Sequence, residues 1–79
     1  MSDLKRLSQL GVGDVGQIVS LPRQEGVRNK LMNMGIVGGA RVECIGKSPL
    51  GDPSAFLVRG GVVALRLEDL ERIVIKQEV

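Results

Sequence analysis

The sequence predicts a mostly-β domain: a small, partly closed barrel of five short strands, with one helix between the first and second strands and short helical turns. The chain has only 79 residues, which we expect to form a single domain over residues 1–79. Several short stretches alternate apolar and polar residues, and glycine or proline separates them. Because five short strands in a flat sheet would leave open edges, a strongly bent barrel is the economical arrangement.

A run of leucines opens the chain, and a first strand follows it. A spacing of three residues predicts one or two helical turns that lay an apolar edge on the core, formed by Leu4, Leu7 and Leu10. Residues 15–21 then make the predicted first strand, which Pro22 ends.

One segment, residues 25–35, has the period of a helix. Val27, Leu31 and Met34 fall on one face of it and should pack against the core. Gly35 suits the left-handed residue with which many helices end. The helix should therefore connect the first two strands and cover one end of the barrel.

The second half of the chain has the period of strands. From Arg41 to Cys44 polar and apolar residues alternate, which predicts the second strand, with Cys44 buried as a small apolar side chain. Gly60-Gly61 suits a two-residue hairpin turn, since both residues tolerate positive φ. The remaining predicted elements are strands at residues 55–59, 62–66 and 73–76 and a helical turn at residues 68–70.

The composition argues against several functional classes. The chain has no histidine, so it lacks the usual acid and base of neutral pH. The glycines at 11, 13 and 16 have neither the preceding strand nor the following Gly-Lys-Ser/Thr of a phosphate-binding loop. With Phe56 as the sole aromatic residue and a net charge of +2, a groove for proline-rich peptides cannot be built and nucleic-acid stacking is disfavoured. We therefore expect neither an enzyme nor a nucleic-acid-binding protein.

The sequence also predicts a cytoplasmic location. Its longest apolar run, residues 62–65, is far shorter than the roughly 20 residues that span a bilayer. The charged N-terminus does not have the core of a signal peptide. The single cysteine cannot form an internal disulfide and is compatible with a reducing compartment. We expect no direct insertion into a membrane.

One acidic cluster could hold a metal ion. Glu68, Asp69 and Glu71 supply oxygen ligands of the kind that Fe²⁺ or Mg²⁺ accepts. Acidic residues near a helical turn also serve its cap and dipole, and we favour this second interpretation. The three residues are thus weak metal candidates, and no cofactor is expected.

The remaining possibility is a protein that acts by docking its exterior onto a partner. The candidate contact residues are the exposed side of the helix, Arg28, Asn29, Met32 and Asn33, together with Leu50 in a loop. Leu50 is a plausible anchor in its Gly/Pro-bounded loop, although folding back onto the barrel is an equal alternative. Arg59 and Arg66 lie on neighbouring strands, where a solvated face explains them.

Four motifs, in this order and at these spacings, resemble the FeoA family of bacterial ferrous-iron transport along nearly the whole chain. They are Leu31-x-x-Met34-Gly35-Ile36, Gly39-x-x-Val42, Ser48-Pro49-Leu50-Gly51-Asp52-Pro53 and Val63-Ala64-Leu65-Arg66. The pattern is also similar to the C-terminal domain of diphtheria-toxin-repressor-type metal regulators. Both resemblances imply an SH3-like barrel.

The resemblance to FeoA implies a non-catalytic, cytosolic accessory protein of Fe²⁺ uptake. It would contact the cytosolic, GTPase-bearing portion of the membrane transporter FeoB, and Fe²⁺ would be the metal of the pathway. A metal-responsive regulatory domain like the repressor module is the alternative. Association into a homo-oligomer through an open barrel edge is a further possibility.

Overall fold

The computed structural model describes residues 4–50 and 52–78; Gly51 of the loop motif lies outside them. The described residues form one antiparallel sheet with strand order β1-β6-β2-β3-β4-β5. The mostly-β prediction is confirmed, and the main helix lies between β2 and β3. The elements are β1 (Leu4–Arg6), a 3₁₀ turn (Leu7–Gln9), β2 (Val15–Ser20), α1 (Glu25–Asn33), β3 (Arg41–Lys47), β4 (Ser54–Val58), β5 (Gly61–Leu65), α2 (Leu67–Leu70) and β6 (Val74–Gln77).

The N-terminal segment differs from the prediction, and the sheet therefore has six strands rather than five. Residues 4–6 form β1, which pairs with β6, so only Leu7–Gln9 is helical. Leu7 and Leu10 are fully buried, whereas Leu4 is half-exposed. The Leu7 N–H donates to the Ile73 carbonyl at 2.8 Å. The open side of β6 offers backbone partners to the segment, and this pairing overrides the leucine spacing.

Helix α1 has the predicted buried face and the predicted end. Leu31 is fully buried, and Val27 and Met34 pack against the core with partial burial. Gly35 has φ of +89°, and the N–H of Ile36 donates to the Leu31 carbonyl at 3.0 Å, which closes the helix end.

No helix in residues 4–50 and 52–78 is long and apolar enough to cross a membrane.

The core is almost entirely aliphatic and lies between the sheet and the helices. Cys44, Phe56 and Val63 stand side by side on β3, β4 and β5, and the predicted burial of Cys44 is confirmed. The buried apolar residues are Leu7, Leu10, Ile18, Leu31, Ile36, Ala40, Val42, Cys44, Phe56, Val58, Leu65, Leu70, Ile73 and Ile75.

The hairpin between β4 and β5 turns one residue earlier than predicted. Val58 pairs with Gly61, so the turn consists of Arg59 and Gly60, with φ of 52° and 79°. In the predicted hairpin Val58 would pair with Val63, which lies two residues beyond its observed partner Gly61. Because strand side chains repeat with period two, both registers turn the same side chains toward the core, and the apolar pattern does not distinguish them.

We expect Gly16→Ala to lower the free energy of unfolding by about 1–3 kcal/mol through overpacking. Gly16 is buried in β2 between β3 and β6. An added Cβ would lie 2.8 Å from Ile75 Cδ1 and 3.3 Å from the Lys76 carbonyl oxygen. Ile75 is fully buried and has little room to move aside. Urea denaturation measures the change.

Gly26→Ala is the matched control, because Gly26 lies in α1 and an added Cβ there meets no heavy atom within 4 Å. This change should raise the free energy of unfolding by about 0.5–1 kcal/mol, since alanine has the higher helix propensity. Equal effects of the two substitutions would contradict the close approach at Gly16.

Candidate protein-contact surfaces

The four candidate residues on α1 form one exposed surface. Arg28, Asn29, Met32 and Asn33 are all exposed, and Met32 retains 43% of its accessible area. They face away from the core because Leu31 holds the opposite side of the helix in it. We call these four residues the helix surface; their role in binding stays a prediction.

Leu50 projects from a loop that its own hydrogen bonds close. The Asp52 N–H donates to Ser48 Oγ at 2.9 Å, and the Ser48 N–H donates to the Pro53 carbonyl at 3.1 Å. Leu50 lies between these contacts and is 93% exposed. The alternative in which Leu50 folds back onto the barrel is therefore wrong.

A long-range hydrogen bond attaches this loop to α2. The Leu67 N–H, at the start of α2, donates to Asp52 Oδ1 at 3.0 Å, so a loop carboxylate caps a helix 15 residues further along the chain. Leu67 itself is 42% exposed. We call Leu50 and Leu67 the tip surface, because the bond attaches the start of α2 to the loop that carries Leu50. Sequence reasoning missed Leu67, because the cap is non-local and has no motif.

Met32, the apolar residue of the helix surface, points away from the tip surface. Lys30 of α1 faces α2, since its Nζ lies 4.0 Å from an Asp69 carboxylate oxygen. At 3.6 residues per turn, Met32 is rotated by roughly 200° from Lys30 around the helix axis. Met32 thus points away from α2 and from the loop bonded to it. Met32, the apolar residue of the helix surface, therefore does not lie on the side of α1 that carries the tip surface.

The three acidic candidates are not assembled as a ligand set. Asp69 is buried beside Lys30, whereas Glu68 and Glu71 are exposed. Within residues 4–50 and 52–78, no three Cys, Asp or Glu side chains converge on a common point that could hold a metal ion. Glu68 and Asp69 lie in the first turn of α2, where negative charge is favourable.

A third exposed surface lies on the outer side of β4 and β5. Leu57 pairs with Val62, and Ala55 pairs with Ala64; Leu57 and Val62 are 38% and 64% exposed. Sequence analysis missed this surface because residues 62–65 are all apolar and show no alternation that would separate an inner from an outer face. Beside it is an open groove of about 320 Å³, lined by Ala40, Arg41, Val42, Glu43, Leu57, Arg59 and Gly60.

The architecture agrees with the relationship that sequence comparison finds. Residues 5–77 match the model of the FeoA domain. The chain belongs to the FeoA family. The resemblance drawn from the four motifs is thereby confirmed.

One FeoA relative links the family to ferrous-iron transport. It is the Fe(2+) transport protein A/Fe(2+) transporter FeoB fusion protein of Porphyromonas gingivalis, which is 34% identical over 68 residues. The match covers 86% of this chain but only 8% of that much longer protein.

Solved structures confirm the SH3-like barrel. The FeoA-like protein from Clostridium acetobutylicum is 29% identical with a TM-score of 0.89, over 100% of this chain and 92% of that one. FeoA of Stenotrophomonas maltophilia, described in complex with zinc as a prokaryotic SH3 domain protein, is 26% identical with a TM-score of 0.78, over 94% and 95%. A manganese-dependent transcriptional repressor is similar in fold alone, with a TM-score of 0.84 at 13% identity over 42% of its chain.

Asp52→Ala should lower the free energy of unfolding by about 1 kcal/mol, the usual cost of losing a helix cap. The physical reason is that the Leu67 N–H loses its acceptor. Asp52→Asn keeps an oxygen at Oδ1 and should cost less.

Leu50→Glu, in the same loop, is the control. It should change the free energy of unfolding by less than about 0.5 kcal/mol because the side chain is almost fully exposed. Urea denaturation compares the three; equal losses for Asp52→Ala and Leu50→Glu would contradict the capping role.

Proposed function

We propose that this FeoA chain is a non-catalytic accessory of ferrous-iron uptake that binds the cytosolic, GTPase-bearing portion of a FeoB-type transporter. The relative in which both parts occur in one chain is the observation that carries the proposal. Covalent linkage holds two modules at high local concentration, which suits parts that work in contact.

The tip surface is the better of the two candidate docking sites. An exposed leucine gains most from burial in a partner's pocket, and Leu50 is 93% exposed. The hydrogen bonds of Ser48 and Asp52 already hold its loop in place. Binding through a pre-ordered loop loses less conformational entropy than binding through a flexible one. The helix surface offers a polar contact around Met32.

The mechanism that we propose is a shift in the partner's conformational equilibrium. A docked module changes such an equilibrium only if it binds the two states with different affinity. In this proposal the chain works in the cytoplasm and supplies no reacting group. Its surface would select one state of the transporter's soluble portion.

Leu50→Glu should weaken binding to the purified cytosolic portion of a FeoB encoded in the same genome by at least about tenfold, because it puts a charge into an apolar contact. Isothermal titration calorimetry measures the dissociation constant. Met32→Glu tests the helix surface separately, since Met32 points away from α2 and from the loop of Leu50.

Val19→Glu is the matched control. Val19 lies on β2 and is 47% exposed, close to the 43% of Met32, but it belongs to neither candidate surface. It should bind as the unmodified chain does. Absence of any binding by the unmodified chain would reject the partner; equal binding by all three variants would reject both surfaces.

A further inference from the structure

Strand β5 lies at the end of the sheet. Its one neighbour among the described strands is β4, with Val62 opposite Leu57 and Ala64 opposite Ala55. Val62 and Ala64 are both exposed. An end strand of this kind presents a row of backbone groups to solvent.

The hairpin register shows which backbone groups face outward. Val58 and Gly61 close the two-residue turn, so they form a hydrogen-bonded pair. Hydrogen-bonded and non-bonded pairs alternate along an antiparallel ladder, which directs the N–H and C=O groups of Val62 and Ala64 away from β4. Within residues 4–50 and 52–78 no hydrogen bond reaches these four groups.

The side chains of β5 are also incompletely covered. On the outer face Val62 and Leu57 form an exposed apolar pair. On the inner face Val63 packs beside Phe56 and is only partly buried. A further strand beside β5 would cover Val62 on one face and complete the burial of Val63 on the other.

The two end strands of the sheet carry different charges. In β1 the edge includes Lys5 and Arg6, and charged residues on an edge discourage pairing with another chain. Strand β5 carries no charged residue. The outward backbone groups of β5 therefore lack this protection against pairing with another chain. The charges beside β5 then determine which kind of partner segment is favoured.

Two cations flank β5, one at each end. Arg59 and Arg66 are exposed, and neither forms an ion pair with any described residue, whereas Arg41 is paired with Glu78 at 2.9 Å. A second copy pairing antiparallel through β5 would place Arg59 of one copy beside Arg66 of the other, which is repulsive. An acidic segment would instead be attracted at both ends.

We propose that the free edge of β5 binds an extended segment of a partner protein in which apolar and acidic residues alternate. The segment would add a strand to the sheet, with backbone hydrogen bonds at Val62 and Ala64 and carboxylates near the flanking arginines. The proposal goes beyond the FeoB contact, because it uses neither the helix surface nor the tip surface. It does not depend on which protein carries the segment.

The test uses a capped peptide of alternating Val and Glu, about six residues long like a typical strand, and a matched peptide of alternating Val and Lys. Hydrogen exchange followed by NMR should show slower exchange of the Val62 and Ala64 amides when the Val/Glu peptide is added. The Val63 amide, already bonded to β4, should change little. The Val/Lys peptide should bind at least about fivefold more weakly.

Val62→Pro removes an outward N–H without removing a bond to β4 and should weaken peptide binding about tenfold, the loss expected for removing a backbone hydrogen bond. Val62→Thr keeps the N–H and the branched side chain, and should bind normally. Arg59→Glu, at an exposed turn, should reduce the preference for the acidic peptide and provides an independent test if the proline variant does not fold.

Three results would overturn the proposal. The first is no added protection at Val62 and Ala64 with the Val/Glu peptide. The second is equal binding of the acidic and basic peptides. The third is protection that rises with protein concentration alone, which would indicate a second copy as the occupant of the edge.

Discussion

The close approach of β2 to β6 at Gly16 is the contact on which the rest of the fold depends. Strand β2 pairs with β6 on one side and β3 on the other, so it joins the β1-β6 pair to the β3-β4-β5 sheet. The space beside Gly16 is occupied by the Ile75 side chain. Because the chain has one aromatic residue, its core depends on close packing of small aliphatic side chains rather than on large rings.

The helices lie in the connections that leave β2 and lead into β6. The segment after β2 forms α1, whose Leu31 enters the core, and the segment before β6 forms α2. Two contacts of α2 connect distant parts of the chain: Asp52 caps its start, and Asp69 faces Lys30 of α1. Helix α2 therefore contacts the loop of Leu50 on one side and α1 on the other. This arrangement places the loop of Leu50 on the side of α1 away from Met32.

The chain's possible interactions follow from what this packing leaves uncovered. Cys44 and the inner side chains of β3 to β5 are buried in the core. Binding must therefore use side chains and backbone groups on the outside of the domain. Three kinds of exposed surface result: a polar helix face, an apolar loop tip and an open strand edge. Each would bind a different chemical group on a partner, because polar side chains, an exposed leucine and unpaired backbone groups each need a different kind of contact.

Local patterns in the sequence by themselves determined the helix of α1, its end at Gly35, most strands and the burial of Cys44. These features depend on side-chain periodicity and on backbone preferences of single residues, which neighbouring positions reveal. Only the tertiary structure decided that Leu4–Arg6 pairs as a strand, that Asp52 caps α2, that Leu50 stands exposed and that β5 ends the sheet. Those features depend on which distant backbone groups remain unpaired when the chain closes on itself, and no local period encodes that.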